Sequence, residues 1–132
     1  MAESFNFELV SPERRLAAMA AREVQIPGAE GDLTAMPDHA PLITTLRPGM
    51  LKAAGAEGER AFVVTGGFAE ITPGGATVLA ERAYPLEEAT AEVFEALLGE
   101  ARSAAEAATP EMKDAANKVV ADLQSLRGAI GV

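Results

Sequence analysis

Residues 61–80 read AFVVTGGFAEITPGGATVLA, and this stretch carries the pattern that decides the fold. Three runs rich in β-branched and aromatic residues, 61–65, 68–72 and 77–80, are separated by Gly66-Gly67 and by Pro73-Gly74-Gly75. Such side chains favour strands, whereas glycine and proline mark the turns between them. The Gly-Gly pair indicates either a β-bulge or a close approach of another backbone segment. The stretch therefore predicts short strands joined by tight turns.

The same pattern continues towards the N-terminus. Phe5, Phe7 and Leu9 alternate with polar residues, which is typical of a half-buried strand. Two further runs at 24–26 and 42–46 also have strand character, and proline or glycine recurs at short intervals between them. Six or more short strands predict a β-sandwich domain over residues 1–85.

The composition changes after Tyr84-Pro85. Residues 86–132 are dominated by Ala, Glu and Leu, which have high helix propensity. Thr109-Pro110 resembles a helix N-cap followed by proline at the first helical position, and Arg127-Gly128 resembles a cationic last turn with a glycine stop. The domain is therefore expected to be followed by a C-terminal antiparallel two-helix hairpin with its break near residues 107–110.

Each predicted helix has one apolar stripe, and the two stripes are expected to face each other. The stripe of the first helix consists of Leu86, Thr90, Val93, Leu97, Ala101 and Ala104. The stripe of the second helix consists of Met112, Ala116, Val119, Leu123, Leu126 and Ile130. Because alanine buries little apolar area, the hairpin is predicted to be only marginally stable by itself.

Composition excludes several classes of partner. The formal net charge of −9 repels nucleic acid and anionic lipid, so basic protein surfaces are favoured instead. The chain has no cysteine and therefore no disulfide or thiolate metal site. Its longest apolar run, Leu16 to Ala21, is far shorter than the roughly 20 residues that span a bilayer, so no direct membrane insertion is expected. The first ten residues lack the pattern of a signal or transit peptide.

His39 is the one histidine of the chain, and it can be interpreted in two ways. As a general base it would be oriented by Asp38, but the chain has neither a cysteine nor a Gly-x-Ser-x-Gly nucleophile. The flanking Pro37 and Pro41 favour a rigid turn that presents the side chain to a partner. Metal ligation would need more ligands than Glu30 and Asp32 supply, so no metal site is predicted. Because the chain lacks a nucleophile, no catalytic residue is predicted either.

Five motifs together resemble the epsilon subunit of the bacterial F-type ATP synthase. They are PGAEGDL at 27–33, MPDHAPL at 36–42, LRPGML at 46–51, FVVTGGFAEI at 62–71 and VLAERA at 78–83. The helical part is similar to the family in layout and composition.

The resemblance implies a rotor subunit of the central stalk that couples proton-driven rotation of the c-ring to ATP synthesis. It implies that the sandwich binds the gamma subunit and the polar loops of the c-ring at the cytoplasmic face of the bacterial inner membrane. Glu30 and Asp32 would face the basic loops of the c-ring, and His39 and Pro41 would belong to the same interface. No cofactor is expected.

The resemblance also bears on the hairpin, which in some family members contacts the catalytic alpha and beta subunits and blocks ATP hydrolysis. Some members bind ATP through an aspartate and an arginine at the start of the first helix. Here those positions are Glu87 and Thr90, so no ATP binding and at most weak regulation are expected. Two alternatives remain, a free-standing β-sandwich ligand-binding module with His39 and Asp38 in its pocket, and a small hydrolase.

Overall fold

A computed structural model describes residues 4–132, and the chain divides into two compact units, Met1–Leu86 and Glu87–Val132. The first unit contains the strands β1 (Phe5–Val10), β2 (Arg15–Ala21), β3 (Glu23–Gly28), β4 (Gly31–Ala35), β5 (Leu42–Thr45), β6 (Gly49–Gly55), β7 (Gly58–Thr72) and β8 (Gly75–Pro85). A single 3₁₀ turn, Leu86–Glu88, precedes the helices α1 (Ala91–Ala107) and α2 (Lys113–Ile130).

The strands form two layers that share β7 and β8. In one layer the order is β2, β1, β8, β7, β5, and it uses the last part of β7. In the other the order is β8, β7, β6, β3, β4, and it uses the first part of β7 and the last part of β8. The pairing of β1 with β8 is parallel and the other pairings are antiparallel. The predicted β-sandwich followed by two helices is confirmed.

Gly66 and Gly67 allow β7 to pass from one layer to the other. Their φ angles are 58° and 97°, a region that side chains with a Cβ rarely adopt. The register with β8 is the same on both sides of the pair, so the structure contains no β-bulge here. A Cβ on Gly67 would instead overlap the carbonyl oxygen of Leu79. Of the two predicted explanations, the close backbone approach is correct.

The core of the sandwich lies between the layers and follows the alternation seen in the sequence. In β1, for example, Phe5, Phe7 and Leu9 are buried while Asn6 is exposed. The largest fully buried side chains of this core are Phe7, Phe62, Leu9, Ile26, Leu51, Ile71, Val24, Val64 and Val78.

Three strands, β2, β4 and β6, were absent from the sequence-based prediction, and the runs 61–65 and 68–72 are one strand rather than two. The segment Arg15–Ala21 is rich in alanine and reads as helix by propensity. It becomes a strand because every residue of β1 has a backbone partner in it. Tertiary pairing thus overrides the local preference.

The predicted apolar stripe of the first helix is partly wrong. α1 buries Phe94, Leu97, Leu98 and Ala105, whereas Ala104 is exposed. In an alanine-rich helix several stripes are about equally apolar, so the positions of the few large side chains decide which face is buried.

The stripe and the predicted ends of the second helix also need correction. Leu123 and Leu126 are buried, but Met112 and Val119 are exposed. Thr109 and Pro110 lie in a turn before α2, whose N-cap is Met112. The helix continues through Gly128 and ends at Gly131, which has a left-handed φ of 86°.

Candidate functional site

The acidic segment 27–33 is an anchored hairpin rather than a free loop. Gly28 pairs with Gly31, so Ala29 and Glu30 form a two-residue turn between β3 and β4. The Ala29 N–H donates to the Thr45 carbonyl at 2.8 Å, and the Arg47 N–H donates to the Pro27 carbonyl at 3.1 Å. These bonds tie the hairpin to the end of β5, so the acidic side chains stand on a rigid base.

The two predicted acidic contacts differ in their electrostatic environment. Glu30 is exposed at the tip of the turn, and its carboxylate has no ion-pair partner within residues 4–132. Asp32 is also exposed, but its carboxylate accepts a hydrogen bond from the Arg47 guanidinium and forms an ion pair with it. The sequence analysis assigned no role to Arg47, because a pair 15 residues apart becomes visible only in the tertiary structure.

A groove of about 460 Å³ lies between β4, which pairs with β3, and β5, which pairs with β7. It is lined by Glu30, Gly31, Asp32, Leu33, Leu42, Ile43, Thr44 and Thr45. Both strands have a backbone-paired neighbour on one side only, so the groove lies between two sheet edges. None of its lining residues is aromatic, unlike the pocket that a ligand-binding module would need.

His39 and Pro41 lie in the connection from β4 to β5, beyond the far end of β4 from Glu30. The five residues of β4 span about 16 Å at 3.3 Å each, so the structure does not bring all four predicted contacts to one point. Instead, Glu30 and Asp32 lie at one end of the groove. The connection between β4 and β5, which contains His39 and Pro41, lies beyond the other end.

The backbone around His39 is a tight turn. The His39 N–H donates to the Met36 carbonyl at 3.1 Å, and Asp38 has a φ of 67°. The His39 Nδ1 lies 2.6 Å from the Ala40 carbonyl oxygen. Because a carbonyl only accepts, Nδ1 is the donor in this hydrogen bond. Asp38 is exposed and does not hydrogen-bond the ring, so the pair lacks the geometry of an oriented general base.

Three large apolar side chains are exposed on the outer face of the layer that contains β5. Ile43 is 68% exposed, Phe68 44% and Leu79 40%. Phe68 lies directly opposite Leu79 on β8 and opposite Thr45 on β5, and Leu79 is also paired with half-exposed Val10 of β1. Val10, Leu79 and Phe68 therefore form one apolar row across β1, β8 and β7, here called the apolar face. Ile43 lies in the next row, opposite the exposed Glu70.

Thr90, the residue at the motif position of the nucleotide-binding arginine, has a structural role. Its side chain accepts a hydrogen bond from the Val93 N–H at 3.4 Å and caps α1. Glu87 and Glu88, three and two residues before Thr90, are acidic, which disfavours a bound phosphate.

Within residues 4–132, no group of three or more His, Asp or Glu side chains is placed to hold a metal ion. Among the described residues, neither α1 nor α2 combines the length and the hydropathy of a membrane-spanning helix.

The fold and these motifs were compared with known proteins. Residues 4–86 match the family described as ATP synthase, Delta/Epsilon chain, beta-sandwich domain. This chain belongs to the ATP synthase epsilon chain family. It is 58% identical to the ATP synthase epsilon chain of Jannaschia sp., over 96% of each chain, and 52% identical to that of Rhodobacter capsulatus over the whole of both. The predicted family and the predicted identity as an epsilon chain are confirmed.

Solved structures show the same fold at low sequence identity. A chain of the Euglena gracilis mitochondrial ATP synthase has a TM-score of 0.74 and 21% identity, covering 98% of this epsilon chain and 83% of that chain. A chain of the Tetrahymena thermophila mitochondrial ATP synthase, in a structure of its central stalk and c-ring, has a TM-score of 0.53 and 18% identity. The match covers 67% of this chain and 71% of that chain. These likenesses concern the fold; the membership of the epsilon chain family, shown by the relatives at 58% and 52% identity, makes this chain a component of the ATP synthase complex.

Proposed function

We propose that this epsilon chain is a non-catalytic rotor subunit that binds the gamma subunit and the polar loops of the c-ring, and thereby couples ring rotation to ATP synthesis. The observation that carries the proposal is the apolar face on a rigid sandwich of this family. Adjacent exposed Phe and Leu side chains on the outer face of a sheet are typical of a protein-binding surface. The rigid layers beneath it suit a part that transmits torque.

The apolar face is proposed to bind gamma. Phe68 and Leu79 are cross-strand neighbours on the outer face, and burying two such side chains supplies a large part of the free energy of association.

The acidic hairpin is proposed to bind the c-ring. Glu30 projects from a two-residue turn held by backbone hydrogen bonds to β5. A carboxylate fixed in this way complements a basic loop without having to be ordered on binding. His39 and Pro41 are proposed as further contacts at the other end of the groove, on the same edge of the sandwich. This arrangement fits a peripheral position on the cytoplasmic face of the inner membrane.

The helical unit is proposed to regulate ATP hydrolysis only weakly. Residues 86–132 contain nine acidic and four basic side chains, a net charge of −5, so they offer little attraction for acidic surfaces of the alpha and beta subunits. The capping role of Thr90 supports the proposal that this chain does not bind ATP.

Co-purification tests the proposal directly. A tagged chain should bring down gamma from solubilised membranes, and Phe68→Ser should weaken that association about tenfold or more because a central aromatic contact is lost. Val119→Ser is the matched control, since Val119 is an apolar side chain of similar exposure, 39%, outside the apolar face. If the tagged chain binds no gamma, or if both variants weaken binding equally, the proposal is wrong.

The hydrolase alternative has its own test. If His39 were a general base, His39→Gln would abolish turnover of the purified chain on ester substrates. The docking proposal predicts no turnover in either protein and, at most, weaker assembly of the variant.

A further inference from the structure

Arg47 lies outside the acidic hairpin, residues 27–33, but its guanidinium forms an ion pair with Asp32 of that hairpin. It follows β5, and its backbone is held on either side by the buried residues Leu46 and Pro48. The Leu46 N–H donates to the Gly67 carbonyl at 2.9 Å, and the Arg47 N–H donates to the Pro27 carbonyl at 3.1 Å. The base of the side chain is therefore fixed.

Asp32 and Arg47 meet because both adjoin Pro27. Asp32 is the cross-strand neighbour of Pro27 in the β3–β4 hairpin, while Arg47 binds the Pro27 carbonyl through its N–H. The guanidinium also lies against Gly49, where a Cβ would be 3.5 Å from its Nη1 atom. The Arg47 side chain is 28% exposed and that of Asp32 is 78% exposed, so the cation is the more buried partner.

The ion pair makes the two acids of the hairpin unequal. A basic group that approaches Asp32 must share this carboxylate with Arg47, whereas Glu30 has no such partner within residues 4–132. We propose that Arg47 compensates the charge of Asp32 and so leaves Glu30 as the acid that the hairpin offers to a basic protein loop. This inference rests on the function proposed above and names the residue that selects which acid makes the contact.

Charge compensation differs from holding the hairpin in place. The turn is already fixed by the Gly28–Gly31 pairing, by the Ala29 to Thr45 hydrogen bond and by the Arg47 backbone. The guanidinium is therefore not required for the hairpin geometry. Removing its charge should release Asp32 for a second contact rather than unfold the turn.

The test is the affinity of full-length variants for ATP synthase depleted of its epsilon chain, measured at several salt concentrations. Glu30→Gln should raise the Kd about three- to fivefold at low salt and reduce its salt dependence. Asp32→Asn should change the Kd less than about twofold, because its charge is already compensated.

In the Arg47→Gln background, Asp32→Asn should weaken binding as much as Glu30→Gln does in the wild-type chain. Arg47→Gln alone should tighten binding about two- to threefold, and adding Asp32→Asn should then weaken it about three- to fivefold. Arg47→Lys keeps the cation and should retain the wild-type difference between the two acids. Amide hydrogen exchange of Ala29 reports whether the hairpin is intact in each variant.

Three results would overturn the proposal. They are an equal loss for Asp32→Asn and Glu30→Gln in the wild-type background, an unchanged effect of Asp32→Asn in the Arg47→Gln background, and loss of Ala29 protection in Arg47→Gln. If the wild-type chain itself does not bind the depleted enzyme, the proposed function fails first. If it binds and the two acids are equivalent, only the role of Arg47 is wrong.

Discussion

At the scale of single residues, two glycines determine how the longest strand bends. Gly66 and Gly67 have positive φ, and the backbone of β8 approaches Gly67 so closely that a side chain would overlap it. The same strand carries Phe62 and Val64 in the core before the bend and Phe68 on the apolar face after it. The bend therefore helps to place the Phe68 ring on the outer face of one layer, while the inner face of the same layer packs in the core.

Gly67→Ala should strongly destabilise the sandwich. The positive φ alone costs about 1–3 kcal/mol for a residue with a Cβ, and the overlap with Leu79 adds to it. Urea denaturation of the variant measures the loss. Gly74→Ala is the matched control, since nothing lies within 4 Å of its Cβ position and its φ is not positive. Equal stability of the two variants would contradict this account of the bend.

At the scale of secondary-structure elements, the C-terminal end of α2 depends on which glycine has the left-handed conformation. Gly128 lies within the helix, while Gly131 ends it and donates its N–H to the Arg127 carbonyl at 2.9 Å. Glycine is unfavourable in a helix interior and favourable at this C-terminal position.

The two glycines should respond to alanine in opposite directions. Gly128→Ala should stabilise α2 by about 0.5–1 kcal/mol because alanine has the higher helix propensity. Gly131→Ala should destabilise it by about 1 kcal/mol, since the left-handed conformation is strained with a Cβ. Thermal unfolding followed by circular dichroism distinguishes them, and a loss of stability in Gly128→Ala would place the helix end where the sequence predicted it.

The start of α1 offers a similar comparison between two threonines. Thr90 caps α1 with its side chain, whereas Thr109 lies in the turn before α2 and its side chain caps no helix. Thr90→Ala should cost about 1 kcal/mol of helix stability, and Thr109→Ala should cost little. The helical signal during thermal unfolding measures both, and the proposed absence of a nucleotide site predicts that ATP changes neither transition.

At the scale of the whole molecule, the two units are expected to contribute differently to the enzyme. The sandwich has its own core and carries both proposed docking surfaces. A chain truncated after Pro85 should therefore still bind gamma. ATP hydrolysis by the assembled enzyme should change by less than about fivefold, below the range typical of an allosteric effector. A much larger rise in hydrolysis would mean that the helical unit is a strong inhibitor.

Much of this organisation follows from local sequence pattern. The alternation in Phe5–Val10 and the glycine and proline signals after it predicted strands, and the alanine-rich tail predicted helices, because both depend on neighbouring residues. Local pattern failed where composition was ambiguous. Alanine-rich Arg15–Ala21 became a strand by pairing with β1, and the buried face of α1 was decided by Phe94 and Leu98.

The candidate site shows the same division. The sequence by itself determined the sandwich, the two helices, the family and the two candidate acids, Glu30 and Asp32. Only the tertiary structure showed that Arg47 forms an ion pair with Asp32 and that Phe68 and Leu79 share one exposed face. The reason is physical: these relations depend on the register between separate strands, which is set by how the whole core packs and not by the residues beside them.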